Sequence, residues 1–423
     1  MNEELMQFIW KNKFFNFEDL TSQNGASIEV IRAGYWNKDA GPDFLNALVK
    51  IADTTWAGNI ELHLKTSDWF KHKHQNNKAY DNLILHVVWE DDLQNENHSF
   101  EKLELKKYVK IDLIKRYKEL NENKHEIACS KSINRVDAFL IDNWLERLLI
   151  DRLERKTEEI EQILVSNQNN WDETFYIYLA KYFGFRINNL PFEFLAKSTP
   201  LNILRKNADS IFKLNAILFG QAGFLDIELD DSYFQQLKKE YEFQKVKYNL
   251  KPIKMELWKF LRLRPYNFPT IRIAQFAGII FKTNLSFSKL LDCQNLNHFD
   301  AIVDTEIDDY WDNHFTFEKQ SKISKKSLGL ESKKVLFINV FVPLLFHYGK
   351  KQQMPDLIDK ILTILKSIPS EKNQIVKQFN ILGLQTKNAF DTQAILELFN
   401  NYCTPKKCLI CSIGNKILTH KEK

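Results

Sequence analysis

The sequence predicts an N-terminal α/β domain followed by a mainly α-helical region. Three observations carry that prediction. Up to about residue 118 the apolar pattern changes element every ten residues or so, with glycines between the segments. From about residue 135 apolar residues recur at three-to-four spacing, with opposite charges four apart on the outer face, as in AFLIDNWLERLLIDRLERKTEEIEQILV. A chain of 423 residues with 44% hydrophobic content has material for a sizeable core and more than one domain.

In order along the first part, NEELMQFIWKNKFF places Leu5, Phe8 and Ile9 on one side of a helix. ASIEVIRAGYW alternates like a strand, and Gly34 and Gly41 punctuate the stretch up to the next strand. DFLNALVKIADTTW and AGNIELHLKTSDW are the next two strands, with a turn expected near Ala57-Gly58. SDWFKHKHQNNKAYDN is polar and opens on Ser67-Asp68, a good helix cap. NLILHVVWEDD is apolar on both faces, as a central strand should be. KLELKKYV gives one more strand, and a helix is expected around 111–120. The order is helix, three strands, helix, strand. The expected organisation is an α/β domain over 1–120, a linker over 121–134, a helical region over 135–400 and a cysteine-containing tail over 401–423.

Composition excludes several classes. Charged residues make up 27% and the formal net charge is +4, so the chain is no histone-like basic binder, and nucleic-acid contact would need local patches. The longest apolar runs, such as KVLFINVFVPLLF at 334–346, fall short of a membrane span. MNEELMQFIWKNKFF lacks a basic–apolar–small cleavage pattern, so a cytoplasmic location away from membranes is expected.

The chemistry concentrates in AGPDFLNALVKIADTTWAGNIELHLK (40–65). Side chains two apart on a strand share a face, so Glu61, His63 and Lys65 project together, and Asp43 begins the neighbouring strand. Two carboxylates can hold Mg²⁺, which keeps several waters and binds phosphate oxygens. The ion lowers the pKa of a bound water, and a lysine can stabilise the attacking or developing charge. A turn at Gly41-Pro42-Asp43 and a surface ion pair between Glu61 and Lys65 would explain the same residues without chemistry.

This arrangement resembles the PD-(D/E)XK nuclease superfamily, with Pro42-Asp43 matching its Pro-Asp motif and Lys65 its lysine. The resemblance implies Mg²⁺- or Mn²⁺-dependent hydrolysis of nucleic-acid phosphodiesters. Asp43 and Glu61 would bind the metal, His63 would ligate or position it, Lys65 would assist the attacking water, and Glu3 or Glu4 would add an acid. The sequence departs from the motif where His63 stands two residues before the lysine and Glu61 four before. Either the acid has moved, or His63 is a ligand, or the site is absent. The whole chain is also similar to a bacterial domain-of-unknown-function family through GYWNKDAGPDF (34–44), ELH (61–63), SDW (67–69) and HKH (72–74).

His63, His72, His74 and His86 gather within one supersecondary unit, and with Glu61 they make a Zn²⁺ or Mn²⁺ site the rival reading. On a continuous helix His72 and His74 do not share a face, so they meet one ion only if that turn is broken. His86, in an apolar strand, reads as a core histidine. Two other classes therefore stand beside the nuclease: a small-molecule hydrolase using these histidines, and a non-catalytic interaction protein with a nuclease-like fold.

The segment YCTPKKCLICSIG gives Cys403, Cys408 and Cys411 the spacing C-x4-C-x2-C, with Cys129 as a candidate fourth ligand. Some nucleases of the superfamily resembled here carry an iron–sulfur cluster on one distant and three close cysteines. An iron–sulfur cluster or zinc at these four is one expectation, and ordinary buried thiols are the other. Cys293 is expected to be unligated. In LRLRPYNFPTIRIAQFAG (261–278), Arg262, Arg264 and Arg272 with Tyr266 and Phe268 suit phosphates and unpaired bases. A rigid loop with arginines paired inside the fold is the favoured account. FGQAGF (219–224) reads as structural, lacking the lysine of a phosphate loop.

Overall fold

A computed structural model describes residues 1–93, 100–123, 125–293, 295–304 and 307–419. The chain divides into two units, one made of 1–144 with 398–423 and the other of 145–397.

The first unit is built on a six-stranded mixed sheet. Helix α1 (Glu3–Lys11) begins at Asn2, whose side chain accepts the Leu5 amide, and buries Leu5, Met6, Phe8, Ile9 and Trp10. The strands are β1 (Ile28–Arg32), β2 (Tyr35–Trp36), β3 (Phe44–Ile51), β4 (Thr54–Lys65), β5 (Leu83–Glu90) and β6 (Glu101–Glu104). They lie in the order β1-β3-β4-β5-β6, with β2 also on β3. The β1–β3, β2–β3 and β3–β4 pairs are antiparallel, while β4–β5 and β5–β6 are parallel. Leu5, Ile9, Ile60, Leu62, Leu85, Val87 and Leu103 share one buried cluster.

The mixed sheet followed by helices is the architecture read from the sequence, with differences of detail. The strand expected through Gly34 splits there, because Gly34 takes φ +93° and a Cβ would meet the Leu45 carbonyl at 3.0 Å. The turn expected at Ala57-Gly58 falls instead at Ala52-Asp53; Ala57 and Gly58 lie inside β4. The β6 strand ends at Glu104, and Leu105–Tyr108 forms a 3-10 turn before helix α3 (Ile111–Glu122).

Helix α2 is a single turn, Asp68–Lys71, rather than a long polar helix. Ser67 does not cap it: its hydroxyl and amide both donate to the Asp92 carboxylate, at 2.7 and 2.9 Å. The chain then breaks, since Lys73 adopts a left-handed φ of 59° and a 3-10 turn starts at His74. That break reorients the next rings.

The second unit is helical. Its helices include Trp171–Phe183, Phe185–Ser198, Ile211–Gln221, Ser232–Tyr248 and Pro269–Thr283. Asn170, Ser210 and Asp231 each cap a helix with a side-chain oxygen. Among the described residues of both units, no helix is long and apolar enough to cross a membrane.

Candidate metal centre

One face of the β4–β5 pair forms the floor of the site. The parallel register sets Glu61 opposite His86 and His63 opposite Val88, so Glu61, His63 and His86 project from the same side of the sheet. All three are buried. The other face of β4, carrying Ile60 and Leu62, packs into the core with α1.

The broken turn after α2 supplies the roof. A helix would have pointed His72 and His74 apart; the left-handed Lys73 between them brings both rings over His63. His63, His72 and His74 each place one ligand atom within 4.8 Å of the others. His63 Nε2 lies 3.2 Å from His72 Nδ1, and Glu61 Oε1 lies 3.5 Å from His63 Nε2 and 3.3 Å from His74 Nε2. His74 Nε2 is cut off from solvent and, among the described residues, makes no hydrogen bond. An imidazole nitrogen in that position wants a donor or an ion. His63 is buried, His74 half-buried and His72 exposed, so the cluster opens to solvent on the His72 side.

The second ring nitrogen of His63 is also engaged: Nδ1 lies 2.9 Å from His86 Nε2. Such a contact fixes ring orientation and tautomer in a metal site. Trp69 and Tyr80 stand against the His74 ring, at 5.3 and 4.1 Å between centroids, and enclose the group in apolar surface. Burial, reinforced by the neighbouring His74 and His72, pulls His63 down to about 3, so the ring is neutral near neutral pH. Burial also lowers His74, with His72 adding to it. A neutral imidazole is the form that coordinates a metal.

Asp43 adjoins the cluster through the backbone. Its amide donates to Glu61 Oε2 at 3.0 Å, its Oδ2 accepts the Leu62 amide at 3.0 Å, and its Oδ1 accepts the Gln7 side chain of α1 at 2.7 Å. Asn37 braces the preceding turn by donating to the Pro42 carbonyl at 3.0 Å. Burial raises both carboxyls: Glu61 reaches about 9, with repulsion from Asp43 adding to it, and Asp43 reaches about 6, where the hydrogen bonds from Leu62 and Gln7 oppose the rise. Glu3 raises each further, and is thus the α1 acid near the pair; Glu4 acts on Tyr117 instead.

Lys65 stands apart. It is the exposed last residue of β4, paired with Glu90 of β5; its amide donates to Asp68, and its charge acts on Asp92. It is not among the groups that act on Asp43 or Glu61.

The cysteines are arranged differently from the histidines. Burial and the nearby Cys411 and Cys408 raise Cys129 to about 12, and Cys403 feels Cys129, Cys411 and Cys408. Among the described residues, however, the sulfurs form no group at the single-ion spacing that the histidines reach. Cys129 and Cys408 pack against the sheet core, and Cys293 is buried in the second unit.

A family model described as "Protein of unknown function (DUF2851)" matches residues 3–374. The chain belongs to the DUF2851 family. Comparison with curated proteins and with solved structures finds no match. In this DUF2851 chain, the ELH and HKH segments (61–63 and 72–74) together supply the histidine cluster and Glu61.

Proposed function

We propose that this DUF2851 protein is a metal-dependent hydrolase, with His63, His72 and His74 as ligands of one divalent transition ion, Zn²⁺ or Mn²⁺. The carrying observation is the convergence of three imidazole nitrogens, one of them buried without a hydrogen bond among the described residues, beside the Glu61 carboxyl. Three protein ligands with an open side is the arrangement of catalytic rather than structural zinc. The ion supplies Lewis acidity and lowers the pKa of a water it holds. With an ion in place Glu61 would complete the ligand set or serve as a proton acceptor beside it, and Asp43 holds Glu61 through its amide. His86 positions His63.

The test is metal analysis and zinc or manganese titration of wild type, His72→Ala and His74→Ala, with hydrolysis of a phosphodiester, a phosphomonoester and a carboxylic ester. One equivalent bound by wild type, with binding and turnover lost in both variants, supports the reading. Stoichiometric metal retained in both variants refutes it.

A Mg²⁺-dependent nuclease centred on Asp43 and Glu61 is the second reading. It is favoured by the contact between those acids and by the nearby Glu3. It requires Lys65, so Mg²⁺-dependent cleavage of DNA or RNA that falls in Lys65→Ala and persists in His72→Ala would select it.

A further inference from the structure

The second unit contains a cavity of about 210 Å³. One of its walls is Arg272, only 5% exposed. A guanidinium stays charged in a protein, and a buried charge is costly unless an opposite charge meets it. Among the described residues, the hydrogen-bond partners of Arg272 are all neutral: Gln275 at 3.0 Å, Asn267 at 2.6 Å and Ser332 at 3.3 Å. Its Nε is buried and finds no partner among them. The pairing with an internal acid that the sequence favours for these arginines is thus not made at Arg272. The side chain instead lies against Phe185, 4.4 Å from the ring centroid, where cation–π attraction orients the fork without neutralising it.

The surroundings of the fork are rigid and positive. Phe185 holds a left-handed φ of 50°, an uncommon conformation for an aromatic residue. Nearby Asn188 locks the bend by donating to the Lys259 carbonyl and accepting the Lys259 amide, both at 2.9 Å. Arg186 brings a second, exposed cation to the cavity wall. The helix Pro269–Thr283 starts at the same wall, and its N-cap position, Phe268, offers no side-chain acceptor to the first turn.

We propose that this cavity binds a small oxyanion, the phosphate or carboxylate group of a small molecule, with Arg272 as its principal contact. Asn267 and Gln275 hold the guanidinium in place, Ser332 lends a hydroxyl beside the anion, and Arg186 acts at the mouth. The volume suits a group the size of phosphate or a short dicarboxylate rather than a nucleotide. This site is separate from the histidine cluster in composition and does not rest on the metal reading.

The experiment is calorimetric titration of the full-length protein, at low ionic strength, with inorganic phosphate and, separately, with succinate. Potassium chloride matched in ionic strength is the control. Wild type is expected to saturate at one equivalent with one or both probes, and the stronger probe identifies the source of the oxyanion. Arg272→Met is expected to weaken binding by about 10- to 100-fold, the loss of charge-assisted hydrogen bonds. Arg272→Lys, which keeps charge but loses the fork, serves if the methionine variant does not fold; it is expected to weaken binding by roughly 10-fold. No saturable binding in wild type, or unchanged affinity in a folded Arg272 variant, overturns the proposal.

Discussion

The neutrality of His63 can be tested through stability in acid. In the unfolded chain this imidazole titrates near 6.5; burial holds it at about 3 in the fold. Between those values the unfolded state binds a proton that the folded state refuses. His63's contribution is therefore fully present above about pH 6.5 and is lost progressively as pH falls toward 3. At about pH 5 the loss amounts to ~2 kcal/mol, taking about 1.4 kcal/mol for each pH unit below 6.5. With the residue 1% exposed, little solvent screening reduces that figure. The perturbation is His63→Gln, which removes the titration while keeping a polar side chain. Urea denaturation in chelator, at about pH 7.5 and about pH 5, gives the difference. Wild type is expected to lose ~2 kcal/mol more than the variant across that interval. Matching losses, within about 0.5 kcal/mol, would mean that His63 takes its proton inside the fold, and the case for a permanently neutral ligand would fail.

Other outcomes arise from the same cluster and the strands beneath it. Glu61 is raised from 4.5 to about 9, so with chelator present the folded state keeps a proton the unfolded state has released, and stability falls as pH rises across that window; Glu61→Gln is expected to flatten this fall in thermal melts. Replacing His86 by phenylalanine frees His63 Nδ1 and is expected to weaken zinc binding by about 10- to 100-fold in chelator competition. Gly58→Ala drives a Cβ to 2.4 Å from Ile84 Cγ2 and 2.6 Å from the Asn82 carbonyl, between β4 and β5. Overpacking there is expected to cost about 1–3 kcal/mol, read as a lower melting temperature.

Much of the first unit was legible because its signals are local. Period-two alternation put Glu61 and His63 on one face, and the unbroken apolar run of β5 marked a strand buried on both sides. The same alternation holds as far as Lys65, which pairs with Glu90, but as the exposed last residue of β4 it does not share the burial of Glu61 and His63. The histidine pair was legible only conditionally. Meeting one ion required a broken turn, and the break depends on a left-handed lysine that no propensity marks. Arg272 was invisible for another reason. Whether an arginine finds an acid is decided by helices far apart in sequence, and a missing partner leaves no trace in the residues around it.

The return of residues 398–423 to the first unit fixes an order of events during synthesis. Leu409 and Leu418 belong to the same buried cluster as Leu5, Ile60 and Leu103. A ribosome delivers those two leucines only after making all of 145–397. The strands and α1 therefore emerge early, and the part of their cluster that Leu409 and Leu418 complete stays unfinished while the longer helical stretch is translated. A nascent chain stalled before residue 398 would lack Leu409 and Leu418 from that cluster, which makes this an interval in which a holding chaperone matters.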